Sequence, residues 1–505
     1  MCGILLQFQV NTKVPDQSYS FKSTDEFQTG SFSPIFDQLV PKIFNRGPDS
    51  SNVLVTDNIC FYSSVLSLRS PFTPQPIHDD RFVIQFNGEL YNEQIGGNDT
   101  RYIRQLLSSN TVEDTIHLLD GEFAFTVYDK HSGCVYFGRD PIGKRSLVYK
   151  VDEEGLTISS VNPLAERDQF KDCLNGAIYK YQLHTNTLEI DPSIMTVVIN
   201  DKTDHNMAHL EQRLDSLSHV LTKSVEQRIR TIQPLHIVDD HDALFSILFS
   251  GGLDCTVIAG LCAQFSADST TIDLLNVAFD NPRTGLFAKD APDRQLALNS
   301  WKCLQLKFPN ISFNLITIDV PFEVYSSLRP RVIELMYPKN TEMDLSIAIA
   351  FYFASRGQGQ RLRLENGTIV NHGDHQSRAK VLLSGLGADE LYGGYHKFAN
   401  KDLETLVPEL QRQINNIHER NLQRDDKVIA DNGVEVRYPF LSEQVIEFST
   451  NGIEINYKVS KFILRQLALR LGLEFVSEEP KRAIQFGAKS AKITKDSKKK
   501  GTDVL

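Results

Sequence analysis

The sequence lacks any apolar stretch long enough to cross a membrane as a helix. Its longest apolar run, 347–354, is eight residues, whereas a membrane helix needs about 18 or more. The N-terminus has no basic segment followed by an apolar core, so we expect no secretory signal. The 7 cysteines are scattered and form no CxxC pair, which argues against a disulfide framework or structural zinc site and favours a reducing, cytoplasmic compartment.

Positive charge is also scarce. The chain has 53 Lys and Arg against 64 Asp and Glu, a net charge of −11, so we do not expect a broad surface for nucleic acid. At 41% hydrophobic residues over a length of 505, the chain can fold into several globular domains.

The first 200 residues differ in pattern from the rest. Up to about residue 200, short β-rich segments separated by Gly, Asn and Asp predict packed antiparallel sheets with few helices. From about residue 205, alternating strands and helices predict a parallel sheet with helices on its faces. We therefore expect domains at 2–200 and 205–490, followed by a basic, flexible tail at 491–505. The tail contains three consecutive lysines at 498–500.

Cys2 directly follows the initiator methionine. Removal of that methionine would leave a thiol and a free α-amine on one residue, and a nucleophile activated by its own N-terminal amine is an established catalyst. Alone, a second-position cysteine indicates little. Three polar motifs accompany it, each after a predicted element: RGPD at 46–49, NGE at 87–89 and GRD at 138–140.

This combination, with a later Asp99 and the glycine of GRDxxG, resembles the class II glutamine amidotransferase domain. The resemblance implies an N-terminal nucleophile hydrolase, an α+β sandwich with αββα layers. It implies that Cys2 attacks the side-chain amide of glutamine. Asn87 and the backbone N–H of Gly88 would form the oxyanion hole.

The same resemblance assigns the binding of glutamine to four side chains: Arg46, Glu89, Asp99 and Arg69. The two carboxylates would hold the substrate ammonium, and Arg46 would support the site. Family members bind the α-carboxylate through an arginine of an RLSI motif, where this chain has Val65. Arg69, four residues on, is expected to substitute for that arginine.

A second motif, SGGLDC at 250–255, lies between a predicted buried strand and a helix. Its glycines let the backbone approach a phosphate, and the helix N-terminus favours negative charge. Since the lysine of a Walker A loop is absent, this is not a P-loop NTPase site. The motif resembles the pyrophosphate loop (PP-loop) of ATP pyrophosphatases, and Asp254 can hold Mg²⁺.

The motif SGLGADE at 384–390 resembles the SGxGxDE signature of asparagine synthetases, with Asp389 as a second Mg²⁺ ligand opposite Asp254. The resemblance implies ATP and Mg²⁺ as cofactors. The ATP-binding residues it assigns are Phe249, Ser250, Gly251, Gly252, Asp254, Val277, Ser384 and Gly385. The motifs at 433–441 and 461–465 also match the family, and we expect them to be architectural, with buried charges that pair with each other.

The resemblance to asparagine synthetase B covers essentially the whole chain, but two of the family's groups are replaced. Leu386 stands in place of a glutamate and Ala483 in place of a lysine. Lys481 or Arg482 is expected to reach the pyrophosphate instead. The segments 353–357, 421–429 and 480–487 resemble one eukaryotic branch, the asparagine synthetase domain-containing proteins. The charged residues at 424–427 either line an acceptor pocket or form surface ion pairs.

The leading hypothesis is a glutamine-dependent and ATP-dependent amidotransferase of the asparagine synthetase type, an enzyme that adenylates a carboxylate and converts it to an amide. Its substrates would be glutamine, ATP and an acceptor carboxylate, by default aspartate, and a homodimer is compatible with the resemblance. The alternative is a catalytically degenerate module for nucleotide binding or assembly. A glutaminase without synthesis is a third hypothesis, which leaves the nucleotide loop unexplained.

Overall fold

The computed structural model describes residues 2–30, 32–192, 195, 197–236, 239, 242–398, 401–493 and 500–505. The chain divides into two compact units. The first unit comprises Met1–Met195, Gln233–Ile237 and His418–Glu435. The second unit comprises Thr196–Ile232, Val238–Ile417 and Val436–Leu505.

The first unit contains two antiparallel sheets and three helices in its N-terminal part. The strands are β1 (Cys2–Gln9), β2 (Gln17–Phe21), β3 (Ser50–Thr56), β4 (Ile59–Val65), β5 (Ile77–His78), β6 (Phe82–Leu90), β7 (Gly121–Asp129), β8 (Cys134–Arg139), β9 (Val148–Asp152), β10 (Gly155–Ser159), β11 (Lys171–Asp172), β12 (Ile178–Gln182) and β13 (Thr187–Asp191). The helices are α1 (Pro34–Phe44), α2 (Asp99–Leu107) and α3 (Val112–His117). One sheet has the order β11-β9-β10-β1-β4-β3-β2 and the other β13-β12-β8-β7-β6-β5.

Alternating side chains build three cores between the layers of this unit. Ile4 and Leu6 of β1 point into the core between the two sheets, whereas Leu5 packs towards α1. On the other sheet, Val83 of β6 joins the core between the sheets and Ile84 packs with the residues of α2 and α3. Because successive strand residues face opposite sides, the result is the αββα layering expected from the sequence.

The second unit is built around one mixed sheet with the order β18-β17-β16-β15-β14-β19-β20. Its strands are β14 (Phe245–Leu248), β15 (Thr271–Phe279), β16 (Ser312–Val320), β17 (Gln358–Glu365), β18 (Thr368–Gln376), β19 (Val381–Leu383) and β20 (Glu435–Arg437). The strands β16, β15, β14 and β19 run parallel, as expected. The antiparallel hairpin β17–β18 at the edge was not predicted.

The remaining helices follow in chain order, and no helix among the described residues is long and apolar enough to span a membrane. They are α4 (Met207–Arg230), α5 (Leu253–Phe265), α6 (Pro292–Lys307), α7 (Phe322–Leu335), α8 (Glu342–Ser355), α9 (Ala388–Leu391), α10 (Leu403–Asn415), α11 (Gln423–Ala430), α12 (Glu443–Glu447), α13 (Ile455–Lys458), α14 (Phe462–Arg470), α15 (Glu474–Glu478) and α16 (Ile484–Gly487). Two of these helices, α7 and α8, are close together in the chain. Thr341 caps α8 by accepting from the N–H of Asp344 at 3.2 Å, which separates α8 from α7.

Helix α11 belongs to the first unit, although the boundaries expected from the sequence place residues 418–435 in the second domain. All eight residues of α11 are buried. Four of them in succession are charged, Arg424, Asp425, Asp426 and Lys427, and these have relative exposures of 3% or less. The structure therefore overturns the expectation of surface ion pairs at 424–427.

Several of the C-terminal residues that the structure describes are held by contacts with other parts of the second unit. Ala491 donates to the carbonyl of Gln485, Ile493 is buried and Val504 forms a backbone bridge with Thr341. This differs from the flexible tail expected at 491–505. The lysines at 495, 498 and 499 lie outside the described residues.

Candidate functional site

Five of the residues assigned to glutamine chemistry line one cleft in the first unit. The cleft is lined by Cys2, Val65, Leu66, Ser67, Leu68, Arg69, Thr73, Gln75, Phe86, Gly88, Glu89, Asn98, Asp99 and Thr100. Strand pairing brings these residues together. Cys2 of β1 lies opposite Val65 of β4, and the residues from Phe86 to Glu89 lie on β6 of the other sheet. The N-cap of α2, Asn98, places Asp99 in the first turn beside them.

Asn87 lies next to the nucleophile candidate. The backbone N–H of Cys2 donates to Asn87 Oδ1 at 2.8 Å. Asn87 is fully buried, and its Nδ2 has no hydrogen-bond partner among the described residues. Because an unsatisfied buried donor costs about 1–3 kcal/mol, this amide group is available to a ligand oxygen beside the thiol.

Gly88 cannot be replaced by a residue with a side chain without a local shift. Its φ is +152°, and a Cβ at this position would lie 2.0 Å from the carbonyl oxygen of Glu122 on the neighbouring strand β7. The close approach of these two backbones therefore requires glycine. This close approach keeps Asn87 and Gly88 of β6 against β7, beside Cys2.

The thiol of Cys2 is held in a buried polar setting. Gln75 Nε2 donates to Cys2 Sγ at 3.3 Å, and the carbonyl of the same side chain accepts from the N–H of Phe86 at 2.7 Å. Burial raises the pKa of the Cys2 thiol, so the thiolate needs a nearby base to form. Sequence reasoning missed Gln75, which lies in a loop without a motif.

Arg69 occupies the space between the two carboxylates assigned to the substrate ammonium. Its Nη1 contacts Asp99 Oδ1 closely and lies 3.5 Å from Glu89 Oε1. It also donates to the carbonyl of Leu90 at 3.0 Å. Burial and the Glu89 carboxylate raise the pKa of Asp99 to about 8, a shift that Arg69 opposes.

Arg46 does not line the cleft and instead supports it from behind. It is 1% exposed, its Nε lies 3.5 Å from the carbonyl oxygen of Cys2 and its Nη2 donates to Asp426 Oδ2 at 2.9 Å. Ser146 donates to the same oxygen through its N–H at 3.0 Å and its hydroxyl at 2.6 Å. Although burial alone would raise it, Arg46 and Arg145 hold the pKa of Asp426 below its usual range.

The second unit brings Asp254 and Asp389 together, because each follows one of two adjacent parallel strands, β14 and β19. The ammonium of Lys461 lies between them, 2.6 Å from Asp254 Oδ2 and 2.6 Å from Asp389 Oδ1. Lys461 had been assigned to pairing within the architectural motifs, so its place at this site corrects that expectation. Although burial alone would lower it, the two carboxylates raise the pKa of Lys461.

Lys481 is the second cation at this carboxylate pair. Its Nζ lies 3.1 Å from Asp389 Oδ2 and 5.1 Å from the ring centroid of Tyr395. Arg482, by contrast, faces Asp293 at 3.5 Å. Of the two cations that the sequence offered in place of Ala483, Lys481 is therefore the one that contacts Asp389.

The glycine loop at 250–255 is closely packed. Gly251 has a φ of +80°, and a Cβ there would lie 2.4 Å from the backbone nitrogen of Ala297. A Cβ on Gly385 would lie 2.9 Å from Cβ of Asp254, so both motifs need their glycines where they meet. The loop leads directly into α5, whose N-terminal amides follow Gly252.

Three residues assigned to ATP binding, Phe249, Val277 and Ser384, lie in or next to the sheet of the second unit. The N–H of Phe249 donates to the carbonyl of Leu275 at 2.9 Å, and its carbonyl accepts from Asn276 Nδ2 at 2.9 Å. The N–H of Phe249 is thus engaged within the sheet. Val277 lies buried in β15, and the N–H of Ser384 donates to the carbonyl of Arg437 at 3.0 Å.

The chemistry of this second site fits a magnesium ion together with a nucleotide. Two carboxylates converge on one point, where the ammonium of Lys461 lies. Mg²⁺ is commonly held by one or two carboxylates, with phosphate oxygens and water completing its shell. No group of three or more metal-ligating side chains occurs in the described part of the chain, so the other ligands would come from the phosphates and water.

Comparison with known families assigns a class to two stretches of the chain. Residues 20–212 match the glutamine amidotransferase domain family, and residues 400–500 match the asparagine synthase family. The chain thus joins a glutamine amidotransferase domain to an asparagine synthase region. Cys2 and the loop at 250–255 lie outside the matched ranges.

The relatives cover nearly the full length of the chain. An asparagine synthetase domain-containing protein of Saccharomyces cerevisiae is 50% identical over 100% of this chain and 99% of its own length. Asparagine synthetase domain-containing protein 1 of Bos taurus is 29% identical over 92% of this chain and 94% of its own. An asparagine synthetase domain-containing protein of Drosophila melanogaster is 28% identical over 97% of this chain and 98% of its own length. The chain belongs to the family of asparagine synthetase domain-containing proteins.

Proposed function

We propose that the chain is a glutamine-dependent and ATP-dependent amidotransferase that converts a carboxylate into an amide. The observation that carries the proposal is the buried Asn87 Nδ2, which has no partner among the described residues. Asn87 accepts from the N–H of Cys2 and directly precedes Gly88, which lines the cleft with Cys2. A tetrahedral oxyanion formed on an amide attacked by Cys2 would satisfy this donor. The domain matches support the same reaction class.

In the first reaction, the amine of Cys2, freed by removal of the initiator methionine, takes the thiol proton. Its hydrogen bond to Asn87 Oδ1 orients it. The sulfur then bonds to the amide carbon of glutamine, and the oxyanion is stabilised by Asn87 Nδ2 and the N–H of Gly88. The amine returns the proton to the leaving ammonia, and water hydrolyses the thioester to glutamate.

In the second reaction, a carboxylate oxygen attacks the α-phosphorus of ATP and pyrophosphate leaves. The loop at 250–255 and the N-terminus of α5 would bind the phosphates. Asp254 and Asp389 would hold Mg²⁺, which neutralises charge on the phosphates when bound. Lys481 would add positive charge next to Asp389. Ammonia then attacks the acyl carbon and AMP leaves, with aspartate as the default acceptor.

A second candidate is a nucleotide-binding or assembly module without synthesis. The position of Lys461 favours it, because its ammonium already pairs with both carboxylates that would hold the metal ion. Leu386 and Ala483 favour it too, since neither side chain can carry charge or a proton.

Release of pyrophosphate and of ammonia by the full chain tests the proposal. With ATP–Mg²⁺, glutamine and aspartate, we expect pyrophosphate release that depends on the acceptor, and a panel of other carboxylates replaces aspartate if it is inert. Cys2→Ala should abolish the reaction with glutamine and spare the one with ammonium salts. Cys303→Ala, a partly exposed thiol of the second unit, is the matched control. Nucleotide binding without pyrophosphate release from any acceptor would favour the second candidate.

A further inference from the structure

The cleft at Cys2 already contains a cation at the place where a substrate ammonium would bind. Arg69, Glu89 and Asp99 all line it. The guanidinium contacts both carboxylates, and only 12% of the Arg69 side chain is exposed. An incoming α-ammonium would have to displace a buried guanidinium, and separating such a pair is costly.

The same guanidinium retains donors for an anion. Among the described residues, every hydrogen bond of the Arg69 side chain is made by Nη1, to Leu90 and to Asp99. Nε and Nη2 take no part in these bonds, and a guanidinium can bind a carboxylate through two parallel N–H groups. Arg69 can therefore pair with Glu89 and Asp99 through Nη1 and still offer its other donors to a ligand carboxylate.

No second cation lines the cleft to receive a carboxylate, within the part of the chain that the structure describes. Val65, Leu66 and Leu68 bring apolar side chains to the same wall. A zwitterionic end therefore meets one cation that is already paired with Glu89 and Asp99. A ligand end that carries only a carboxylate can bind Nε and Nη2 of Arg69, and it does not compete with Arg69 for Glu89 or Asp99.

We infer that Arg69 makes this cleft selective for carboxylate-bearing primary amides that lack a free α-ammonium group. The inference rests on the proposed amide hydrolysis at Cys2 and deepens it by naming a class of amide that this cleft hydrolyses in preference to glutamine. The amide end lies at Cys2, Asn87 and Gly88, and the carboxylate end at Arg69. Arg69 is then a specificity residue whose guanidinium stands in for the ammonium of glutamine.

The chemical step is unchanged and balanced. The sulfur of Cys2 bonds to the amide carbon, the carbon–nitrogen bond breaks and ammonia leaves with the proton from the thiol. Water then displaces the sulfur, so that a monoamide of a dicarboxylic acid becomes the dicarboxylate. Glutaramate, which is glutamine without its α-amino group, is the probe, and its product is glutarate.

The test compares ammonia release from glutaramate and from L-glutamine by the full chain. We expect kcat/KM for glutaramate to exceed that for glutamine at least tenfold. Arg69→Met removes the charge at similar size, and with it the cation that competes with an ammonium for Glu89 and Asp99. It should shift the preference towards glutamine at least a hundredfold. The control is Arg104→Met, which removes a half-exposed cation of α2 that pairs with Asp79 and should leave the ratio unchanged.

Arg69→Lys provides a second variant if Arg69→Met does not fold. It keeps the cation but loses the paired donors, so activity with glutaramate should fall tenfold or more without a gain for glutamine. A preference of the unaltered chain for glutamine, or a ratio that Arg69→Met leaves unchanged, overturns the inference.

Failure of the proposed function has a different signature, because neither amide would then release ammonia. In that event, calorimetry measures the binding of glutaramate and of glutamine to the Cys2→Ala protein and tests the inference. The inference is supported if Cys2→Ala protein binds glutaramate more tightly than glutamine and the double variant with Arg69→Met binds glutamine more tightly. Equal binding, or binding of neither, overturns it.

Discussion

Arg46 and Asp426 are 380 residues apart in the chain and meet at 2.9 Å in the interior of the first unit. Arg46 reaches on to the carbonyl of Cys2. A residue from the second half of the sequence thus supports, through one arginine, the backbone of the nucleophile candidate.

Replacing Asp426 should destabilise the first unit strongly. Asp426→Asn keeps the shape but leaves Arg46 buried without its charged partner, and breaking a buried pair in this way costs about 3–5 kcal/mol. Urea unfolding of the full chain measures the loss. The control is Asp215→Asn, which breaks an exposed pair with Arg470 and should change the free energy of unfolding by less than about 1 kcal/mol. Equal effects of the two variants would contradict the prediction.

Removing the side-chain amide of Asn87 should slow amide hydrolysis. Loss of one oxyanion donor reduces kcat about 10²–10³-fold, so we expect Asn87→Ala to lower kcat with little change in KM. Steady-state ammonia release with the preferred amide measures both constants. Asn92→Ala, which removes an amide that donates to Leu118 on the exposed surface, should retain its kcat. A selective rise in KM for Asn87→Ala would argue against an oxyanion role.

Two glycines close together in sequence should respond differently to alanine. Gly88→Ala introduces a Cβ 2.0 Å from a backbone oxygen at a positive φ, whereas Gly96→Ala meets no atom within 4 Å. We expect Gly88→Ala to lower the melting temperature by several degrees and to impair hydrolysis. Gly96→Ala should be neutral or slightly stabilising, since alanine reduces the entropy of the unfolded chain. Thermal unfolding and ammonia release check both, and a tolerated Gly88→Ala would contradict the close approach.

Removing Lys461 should make the second unit responsive to divalent cations. Lys461→Met leaves Asp254 and Asp389 close together without the ammonium that lies between them. We expect a lower melting temperature than in the unaltered chain, and a larger rise on addition of Mg²⁺. Lys397→Met, which removes a half-exposed partner of Glu409, should show no added response to Mg²⁺. A cation response equal to that of the unaltered chain would contradict the prediction.

The buried Lys458 should make stability depend on pH. It is fully buried and donates to the carbonyl of Thr450 at 2.9 Å. Burial lowers the pKa of Lys458 to about 7, against the opposing effect of Glu454. Between about pH 7 and 10.5 the unfolded chain then binds a proton that the folded chain has released, so this residue's contribution to stability rises with pH.

Lys458→Met should remove that contribution. We expect the gain in free energy of unfolding between pH 7 and 9 to be smaller in Lys458→Met than in the unaltered chain, as measured by urea titration at the two pH values. The difference between the two proteins isolates Lys458 from other titrating groups. An equal gain would show that the ammonium is not differentially protonated.

Local patterns account for much of the fold. The antiparallel sheets of the first unit and the parallel strands β14, β15, β16 and β19 of the second agree with the sequence prediction. The hairpin β17–β18 was missed because its strands are polar and largely exposed or half-buried. Its Asn366-Gly367 turn, with φ of +50° and +78°, is a standard hairpin signal that could have indicated it.

Motifs predicted which residues of the site would meet, but not how their charges pair. Cys2, Gly88 and Asp99 do line one cleft. The pairing of Arg69 with Glu89 and Asp99, and of Lys461 with Asp254 and Asp389, depends on contacts between segments distant in sequence. Nothing local distinguishes a cation that binds a ligand from one that neutralises a neighbouring acid, so such partners follow only from the three-dimensional arrangement.

The placement of α11 has a consequence for how such a protein can be recombined. A chimera made by exchanging residues 2–200 between homologues would transplant Arg46 and Ser146 but leave Asp426 behind. The two stretches must therefore change together, and a graft of the N-terminal half requires residues 418–435 from the same parent. The N-terminal domain, which in the sequence resembles one continuous exchangeable segment, is built from separate segments of the chain.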